Sequence, residues 1–403
     1  MLRIACLAAG VIGFAVTLLP RGATLIYLWP WPLILTIGLA VPPAMFLVRL
    51  VRGEAAPRPG GPAGWLMAAF AVVLLLSTML SPYRGAAAAI ALMPLAAIAL
   101  FFEVIAWRRI DDQTDSLLER ALAWMLVVFT IDSLVLWLAT IVIPNGFVHL
   151  WEARNPHPLG HSNYTAGAIL LLLPFGIARA WRMSGRQRGA WSFAVLLALF
   201  CLFTAGSRAA ILGLGAAAIV GGALLVRARL LPARRALLVA GICCAGAAIF
   251  AVANPRIRDM LRPSPDVVPD DSTLQRRAML DVGERLIAAR PVLGWGPGTT
   301  PLAYPRFRAD VAGGVDTALQ LHDTPVQIAA DLGVTGLALS LALAIVTGVA
   351  TWRSCGDPNQ AHRLPVAAVA GTALAAYGVF AIYDFELDVP LFIFVVAIAA
   401  ALV

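Results

Sequence analysis

Long apolar runs, separated by short clusters of charged residues, repeat along most of the chain. The runs are continuous rather than alternating, and each approaches the roughly 20 residues that a helix needs to cross a hydrocarbon layer. Division at the charge clusters predicts about twelve transmembrane helices, near 4–20, 23–48, 64–81, 86–107, 119–143, 163–181, 190–206, 209–226, 236–253, 325–351, 365–383 and 389–403. The pattern therefore predicts an all-α polytopic membrane protein.

The composition supports this interpretation. Hydrophobic residues make up 61% of the 403 positions and charged residues only 13%, and the mean hydropathy is +0.85. A soluble domain of this length does not reach such values. The lipid bilayer is therefore an expected partner of the chain.

The basic residues are distributed unevenly between the two sides of the predicted bundle. All 30 of them are arginines, and seventeen fall in segments that the alternation of spans assigns to one side. The short segments of the other side hold four. Because basic residues accumulate in cytoplasmic loops, the first side is predicted to be cytoplasmic and both termini to lie there. Topology accounts for the net charge of +8, so no nucleic-acid partner is expected.

One polar segment of about seventy residues, 254–324, interrupts the apolar pattern on the external side. It is predicted to form a large external loop with short helices. Spans one to nine (1–253) precede it and spans ten to twelve (325–403) follow it, within a single membrane-embedded domain. Most of the ionisable residues that could carry chemistry lie in this loop, so we expect the reaction to occur on its side of the membrane.

The loop has its own local pattern. Leu274–Ala289 has helical character, and the stretch 292–298 is rich enough in glycine and proline to predict a turn. Asp323 or Thr324 suits the N-cap of the next span. His322 is therefore predicted to lie at the external mouth of that span.

His322 is the residue best suited to proton transfer. The ordinary pKa of a histidine is near 6.5, so an imidazole can accept a proton from an attacking hydroxyl near neutral pH. The alternative is a histidine that only caps the helix or faces lipid headgroups. Asp323, Gln327 and Asp331 recur every four residues and form one polar stripe, which is expected to face protein or a wet cleft rather than lipid.

Three external arginines are candidates for binding phosphate. Arg208 closes the short connection Thr204–Ala209, and its planar fork of donors fits phosphate oxygens in a bidentate manner. The alternative is an anchor that snorkels to headgroups. The same argument applies to Arg276 and Arg277, for which the alternative is a solvated helix face.

Two further polar clusters lie on the external side. The last loop carries Asp384, Glu386 and Asp388, which could orient a sugar, although the pattern favours a solvated loop. In the cluster that begins at His161, an N-cap role for Ser162 or Asn163 is the simplest explanation.

Metal binding is not predicted. The five cysteines lack metal-site spacing, and no histidine and carboxylate set has the spacing of a metal site. No cofactor is expected either.

Four segments together resemble the O-antigen ligase/polymerase superfamily of bacterial envelope glycosyltransferases. They are Gly160–Gly167, Thr204–Arg208, Arg290–Gly298 and His322–Gly336. The resemblance extends from about residue 160 to 340, and the first five spans agree with the family only in hydropathy.

The ligase motif of that family is a His, then Asn, Ser or Gln, then nine residues and Gly-x-x-Gly. His322, the nine residues 324–332, Gly333 and Gly336 keep this spacing, and Asp323 stands in place of the amide or hydroxyl residue.

The resemblance implies an inverting, metal-independent transfer of a glycan from undecaprenyl diphosphate to a lipid A-core sugar hydroxyl, on the periplasmic face of the bacterial inner membrane. His322 would be the catalytic base, and Arg208 with Arg276 or Arg277 would bind the donor diphosphate. Independently of the resemblance, the polar stripe and the last loop offer candidate supporting residues: Asp323, Gln327, Asp331, Asp384 and Glu386.

Other functions remain open at this stage. A repeat-unit polymerase and a protein O-glycosyltransferase belong to the same superfamily, although the single dominant loop favours a ligase. A small-anion transporter is the alternative of another class, and it would depend on the intramembrane acids Asp132 and Asp331.

Overall fold

The structure, a computed structural model, describes residues 2–21, 28–53, 61–146, 153–253, 271–313, 316–357 and 364–403. Every regular element in these ranges is a helix, and each of the predicted spans contains one. These helices are α1 (Leu2–Thr17), α2 (Trp31–Val51), α3 (Pro62–Leu80), α4 (Arg84–Ile110), α5 (Thr114–Trp137), α6 (Ser162–Arg182), α7 (Gly185–Ala205), α8 (Arg208–Arg227), α9 (Ala233–Ala253), α11 (Thr324–Ser354), α12 (Leu364–Ala381) and α13 (Pro390–Leu402). The described part of the predicted external loop contains a further long helix, α10 (Asp271–Ala289), and two short helical turns, Thr300–Ala303 and Tyr304–Phe307.

Eight of the described helices are long and apolar enough to cross a membrane. They are α2 to α8, with α5 continuing to Asn145, and α11. The apolar parts of α12 and α13 are shorter. Four features stay predictions: the number of twelve spans, the side of the membrane on which the loop lies, the sides of the two termini and the domain boundaries. Residues 254–270 of the loop lie outside the described ranges.

Helix α6 forms the centre of the bundle. Most of its side chains are buried, and Ile169, Leu171 and Phe175 have no exposed surface. It packs against α5, α7 and α12. A membrane helix that is apolar and buried all round is held by neighbours on every side, so α6 is the element on which the others are assembled.

Helix α8 packs against α12 through glycines. A Cβ on Gly213 would lie 2.9 Å from the carbonyl oxygen of Ala376, and a Cβ on Gly221 would lie 3.0 Å from the side chain of Thr372. Small residues allow membrane helices this close approach. The two contacts also show that the helices are antiparallel, so the end of α12 lies beside the start of α8.

The loop segment from α10 to His322 has its own small core. The buried side chains there include Ala278, Val282, Leu286, Trp295 and Tyr304. The indole Nε1 of Trp295 donates to the carbonyl of Leu286 at 2.9 Å. The predicted helix over Leu274–Ala289 and the turn at 292–298 are both confirmed, with the helix beginning at Asp271.

This segment is joined to α11 through a break at Gly333, which has a φ of 70°. Beyond the break, the N–H of Val334 donates to the carbonyl of Pro291 at 2.7 Å instead of to α11. The carbonyl of Ala330 is thereby available, and it accepts the N–H of Trp295 at 3.0 Å. These two hydrogen bonds satisfy backbone groups of both the loop and α11. They hold the loop against α11, the helix that begins just after His322.

Candidate active site

His322 immediately precedes the N-cap of α11. Its φ is 51°, a left-handed value that is uncommon for a residue other than glycine. Its two neighbours are held in place: Gln327 Oε1 accepts the N–H of Leu321 at 2.9 Å, and the carboxylate of Asp323 accepts the N–H of Val326 at 2.9 Å. The prediction that Asp323 or Thr324 is the N-cap is confirmed for Asp323.

Asp384 is the principal partner of His322. Its Oδ1 lies 2.7 Å from Nδ1 of His322, and the aspartate is fully buried while a quarter of the histidine side chain is exposed. Burial by itself raises the pKa of Asp384, but the hydrogen bonds and charges around it outweigh burial, and its pKa is below the ordinary value. An ionised carboxylate only accepts hydrogen bonds, so Nδ1 of His322 donates and Nε2 is left to take a proton.

Asn163 and Arg154 extend this hydrogen-bonded chain. Asn163 Nδ2 donates to Asp384 Oδ2 at 2.5 Å. Arg154 Nη2 donates to Asn163 Oδ1 at 3.3 Å, and Arg154 Nε donates to the carbonyl of Ala205 at 3.0 Å. The turn between α7 and α8 is thus tied to Asp384. Arg208, the exposed first residue of α8, lies at the same end of the bundle as His322.

His161 stands beside His322. The centroids of the two rings are 5.7 Å apart, and the His161 Nδ1 atom is buried without a hydrogen-bond partner in the described part of the chain. Burial lowers the pKa of His161 to about 4, with further lowering by His322, Arg154 and Arg276 and an opposite effect of Asp384. His161 is therefore neutral near pH 7, and the positive charge of Arg276 on α10 contributes to the lowering of its pKa.

Arg276 and Arg277 have different surroundings. Arg276 is half-buried on α10, and Arg277 is exposed. The charge of Arg276 contributes to the lowered pKa of His161. Arg276 is therefore the better candidate of the two for a role near the histidines.

Two predictions about the site are wrong. Ser162 and Asn163 do not cap α6: the helix begins at Ser162, the N-cap position is His161 and no side chain caps it. Asn163 instead binds Asp384, as described above. The loop 384–388 is not solvated either, since Asp384 and Glu386 are buried.

The loop 384–388 makes further polar contacts around Asp384, the partner of His322. Thr324 Oγ1 donates to the carbonyl of Asp384 at 2.6 Å, and Gln320 Nε2 donates to Asp388 Oδ2. The carboxylate of Glu386 packs against Gly167 and has no hydrogen-bond partner among the described residues. Burial and the charges of Asp384 and Asp388 raise the pKa of Glu386 well above its ordinary value. Glu386 lies beneath the surface and does not face the external side.

Gln327 and Asp331 form a buried connection to the loop. The carboxylate of Asp331 accepts from Gly298 N and Thr300 Oγ1, both at 3.1 Å, and from Gln327 Nε2 at 3.0 Å. The predicted polar stripe therefore does face protein. Both residues hold the turn that follows α10 against α11 and do not open onto the external surface.

A family model for O-antigen ligases matches residues 193–341. This match supports membership of the O-antigen ligase superfamily. The matched family implies an enzyme of the membrane glycosyltransferase type. The comparison with curated proteins finds no match.

The segment that matches the O-antigen ligase family runs from α7 into α11. It contains Arg208, Arg276 and His322. Asn163 and Asp384, which complete the hydrogen-bonded chain around the histidine, lie outside it. The candidate site is thus assembled from the matched segment together with α6 and the loop before α13.

Sequence reasoning missed Arg154, His161 and Asn163 as members of the site. The stretch Gly160–Gly167 did carry part of the family resemblance, which was a usable signal for His161 and Asn163. Arg154 carried no signal beyond being one of few arginines in the short external segments.

Proposed function

We propose that the protein is an O-antigen ligase, which transfers a glycan from undecaprenyl diphosphate to a lipid A-core sugar hydroxyl on the periplasmic face of the inner membrane. The observation that carries the proposal is the contact between His322 and the buried Asp384, at 2.7 Å, at the same end of the bundle as Arg208 and Arg276. A base oriented by a buried carboxylate beside cationic side chains suits transfer from a diphosphate donor.

In the proposed reaction, Nε2 of His322 takes the proton of the acceptor hydroxyl as its oxygen attacks the anomeric carbon. The bond from that carbon to the diphosphate oxygen breaks, so the configuration inverts and undecaprenyl diphosphate leaves. Asp384 stabilises the imidazolium that forms. Arg208 and Arg276 offset the negative charge that grows on the leaving diphosphate. The activated bond arrives on the lipid, so the reaction draws on no nucleotide or metal.

The environment of Asp331 bears on the transporter alternative. Its carboxylate is engaged by three hydrogen bonds from the loop and from its own helix. This arrangement supports a structural role for Asp331 and gives less support to a transport path along α11. A polymerase or a protein O-glycosyltransferase would use the same chemistry with another acceptor, so the acceptor is what an experiment must identify.

The test is transfer by the purified full chain in detergent, with a glycan on undecaprenyl diphosphate as donor, lipid A-core as acceptor and no added nucleotide. Glycosylated lipid A-core is the expected product. Longer glycans that remain on the lipid would identify a polymerase instead. Validated substrates could also yield neither product while an acceptor peptide is glycosylated. In that case the acceptor is a protein, and the ligase proposal is wrong.

Asp384→Asn is expected to lower the transfer rate by roughly 10²–10⁴-fold. The amide keeps the size of the side chain, but it neither stabilises an imidazolium nor fixes the tautomer of His322. The rate at saturating substrate is the measurement. Asp310→Asn, the same change at an exposed position of the loop, is the matched control and should retain its activity. Equal activity of the two variants would remove Asp384 from the mechanism.

Arg276→Gln is expected to reduce the rate more than Arg277→Gln, by about tenfold or more, because charge near a leaving group stabilises the transition state only at close range. The two variants change the same net charge on adjacent residues of α10. Single-turnover rates at matched expression compare them directly. A larger loss from Arg277→Gln would reverse the assignment.

A further inference from the structure

A large apolar cavity lies between α6, α7, α8, α9 and α12. Its volume is about 670 Å³, and its lining consists almost entirely of aliphatic side chains and glycines. The polar lining residues are few: Arg182, Cys243 and Thr372. Water in such a cavity would lack hydrogen-bond partners, whereas hydrocarbon would fill it without loss.

The basic end of the cavity lies far from the candidate active site. Arg182, which ends α6, and Leu230 and Leu231, which follow α8, line it. His161 and Arg208 stand at the opposite ends of the same two helices. Each helix has about 20 residues, so roughly 30 Å separate its ends. The lining therefore begins at the end remote from His322, and it extends past the middle of the bundle to Leu202 of α7 and Leu214 of α8.

Basic residues adjoin the lining of the cavity at this end. Arg229, Arg234 and Arg235 are exposed, and they directly flank the lining residues Leu230, Leu231 and Ala236 in the chain. The sequence from 183 to 253 contains no acidic residue. Arg182 differs from these three because its Nη1 pairs with Glu119 at 2.5 Å. The rim is thus strongly positive beside an apolar interior.

We infer that this cavity binds an anionic glycerophospholipid, with acyl chains between the helices and the phosphate on Arg229, Arg234 and Arg235. Guanidinium groups bind phosphate oxygens in a bidentate manner, and a basic rim attracts an anionic headgroup more than a zwitterionic one. The diphosphate of a glycan donor does not fit this assignment, because the cations here lie at the end remote from His322.

The lipid would also brace the helices that carry the candidate site. The walls of the cavity include α6, whose second residue is Asn163, and α8, whose first residue is Arg208. Hydrocarbon between them replaces contacts that the protein itself does not make there. Bound lipid is therefore expected to raise the melting temperature of the purified protein.

The experiment uses the full chain, delipidated in detergent. Dioleoyl phosphatidylglycerol, dioleoyl phosphatidylcholine and a polyprenyl phosphate are added separately, and binding is measured by native mass spectrometry together with the melting temperature. The expected result is tighter binding of phosphatidylglycerol than of phosphatidylcholine, by about tenfold or more. Equal binding of the two phospholipids, or tighter binding of the polyprenyl phosphate, would overturn the assignment.

Substitutions locate the site. The double variant Arg234→Gln and Arg235→Gln should remove the preference for phosphatidylglycerol, while Arg109→Gln, at the exposed end of α4 away from the cavity walls, should keep it. Gly222→Leu places a side chain in the lining and should weaken the binding of both phospholipids. Gly215→Leu, on α8 but outside the lining, should leave their binding unchanged. An unchanged preference in the double arginine variant would contradict the proposal, even if Gly222→Leu failed to fold.

Discussion

His322→Asn is expected to lower glycan transfer by roughly 10²–10⁴-fold or more, while the protein folds and inserts as before. The reason is that Nε2 of His322 is the atom proposed to take the acceptor proton, and an amide has no comparable basicity. Asparagine is preferred to alanine for this test because the backbone at 322 is left-handed, a conformation that asparagine tolerates better. The measurement is the single-turnover rate at saturating donor, with His322→Ala as a second variant.

The control for this substitution is His157→Asn. His157 lies in the segment before α6, and its Nε2 bonds to Thr140 Oγ1 at 2.8 Å and not to Asp384. The His157→Asn variant is expected to transfer glycan at close to the rate of the unsubstituted protein. Melting temperature and elution volume in size-exclusion chromatography separate a catalytic defect from unfolding. A folded His322→Asn protein with an ordinary rate would exclude His322 as the base.

Gly333→Ala is expected to destabilise the protein severely, by on the order of 2–6 kcal/mol, since backbone strain and overpacking act together. Gly333 has a φ of 70°, and a Cβ there would lie 2.1 Å from the carbonyl oxygen of Val292 and 2.6 Å from the amide nitrogen of Leu293. These neighbours are backbone atoms, which cannot move away as a flexible side chain can. The loop must therefore separate from α11 or the helix must repack.

The measurement is the melting temperature of the purified variant, together with its yield of monodisperse protein. Gly348→Ala is a matched control in the same helix, because a Cβ there has no neighbour within 4 Å. Alanine is a better helix former than glycine, so the control should be neutral or slightly stabilised. Similar melting temperatures for the two variants would mean that the break at Gly333 is not needed for the fold.

The helices were predictable because their signal is local. A continuous apolar run of about 20 residues has few structural alternatives in a membrane, since its backbone hydrogen bonds must be satisfied within the segment. The same holds for the N-cap at Asp323 and for the turn after α10, which depend on residue types that are adjacent in the chain. These features needed no knowledge of the neighbouring helices.

The surroundings of His322 were only partly predictable. The histidine and its position before α11 followed from local pattern and family resemblance. The loop 384–388 was predicted to be solvated because three acids in five residues ordinarily face water. In the structure Asp384 is buried against His322 and Asn163, more than 60 and 200 residues away in sequence. No local pattern reports contacts of that kind.

The sequence by itself determined the membrane class of the protein, the places of its helices and the identity of the histidine most suited to proton transfer. The tertiary structure decided which groups act on that histidine. Asp384, Arg276 and the neighbouring pair His161 and Asn163 come from three separate segments, and only the packing of α6, α10, α11 and α12 brings them together. Hydropathy and capping depend on neighbours in the chain, whereas the charge state and orientation of a side chain depend on neighbours in space.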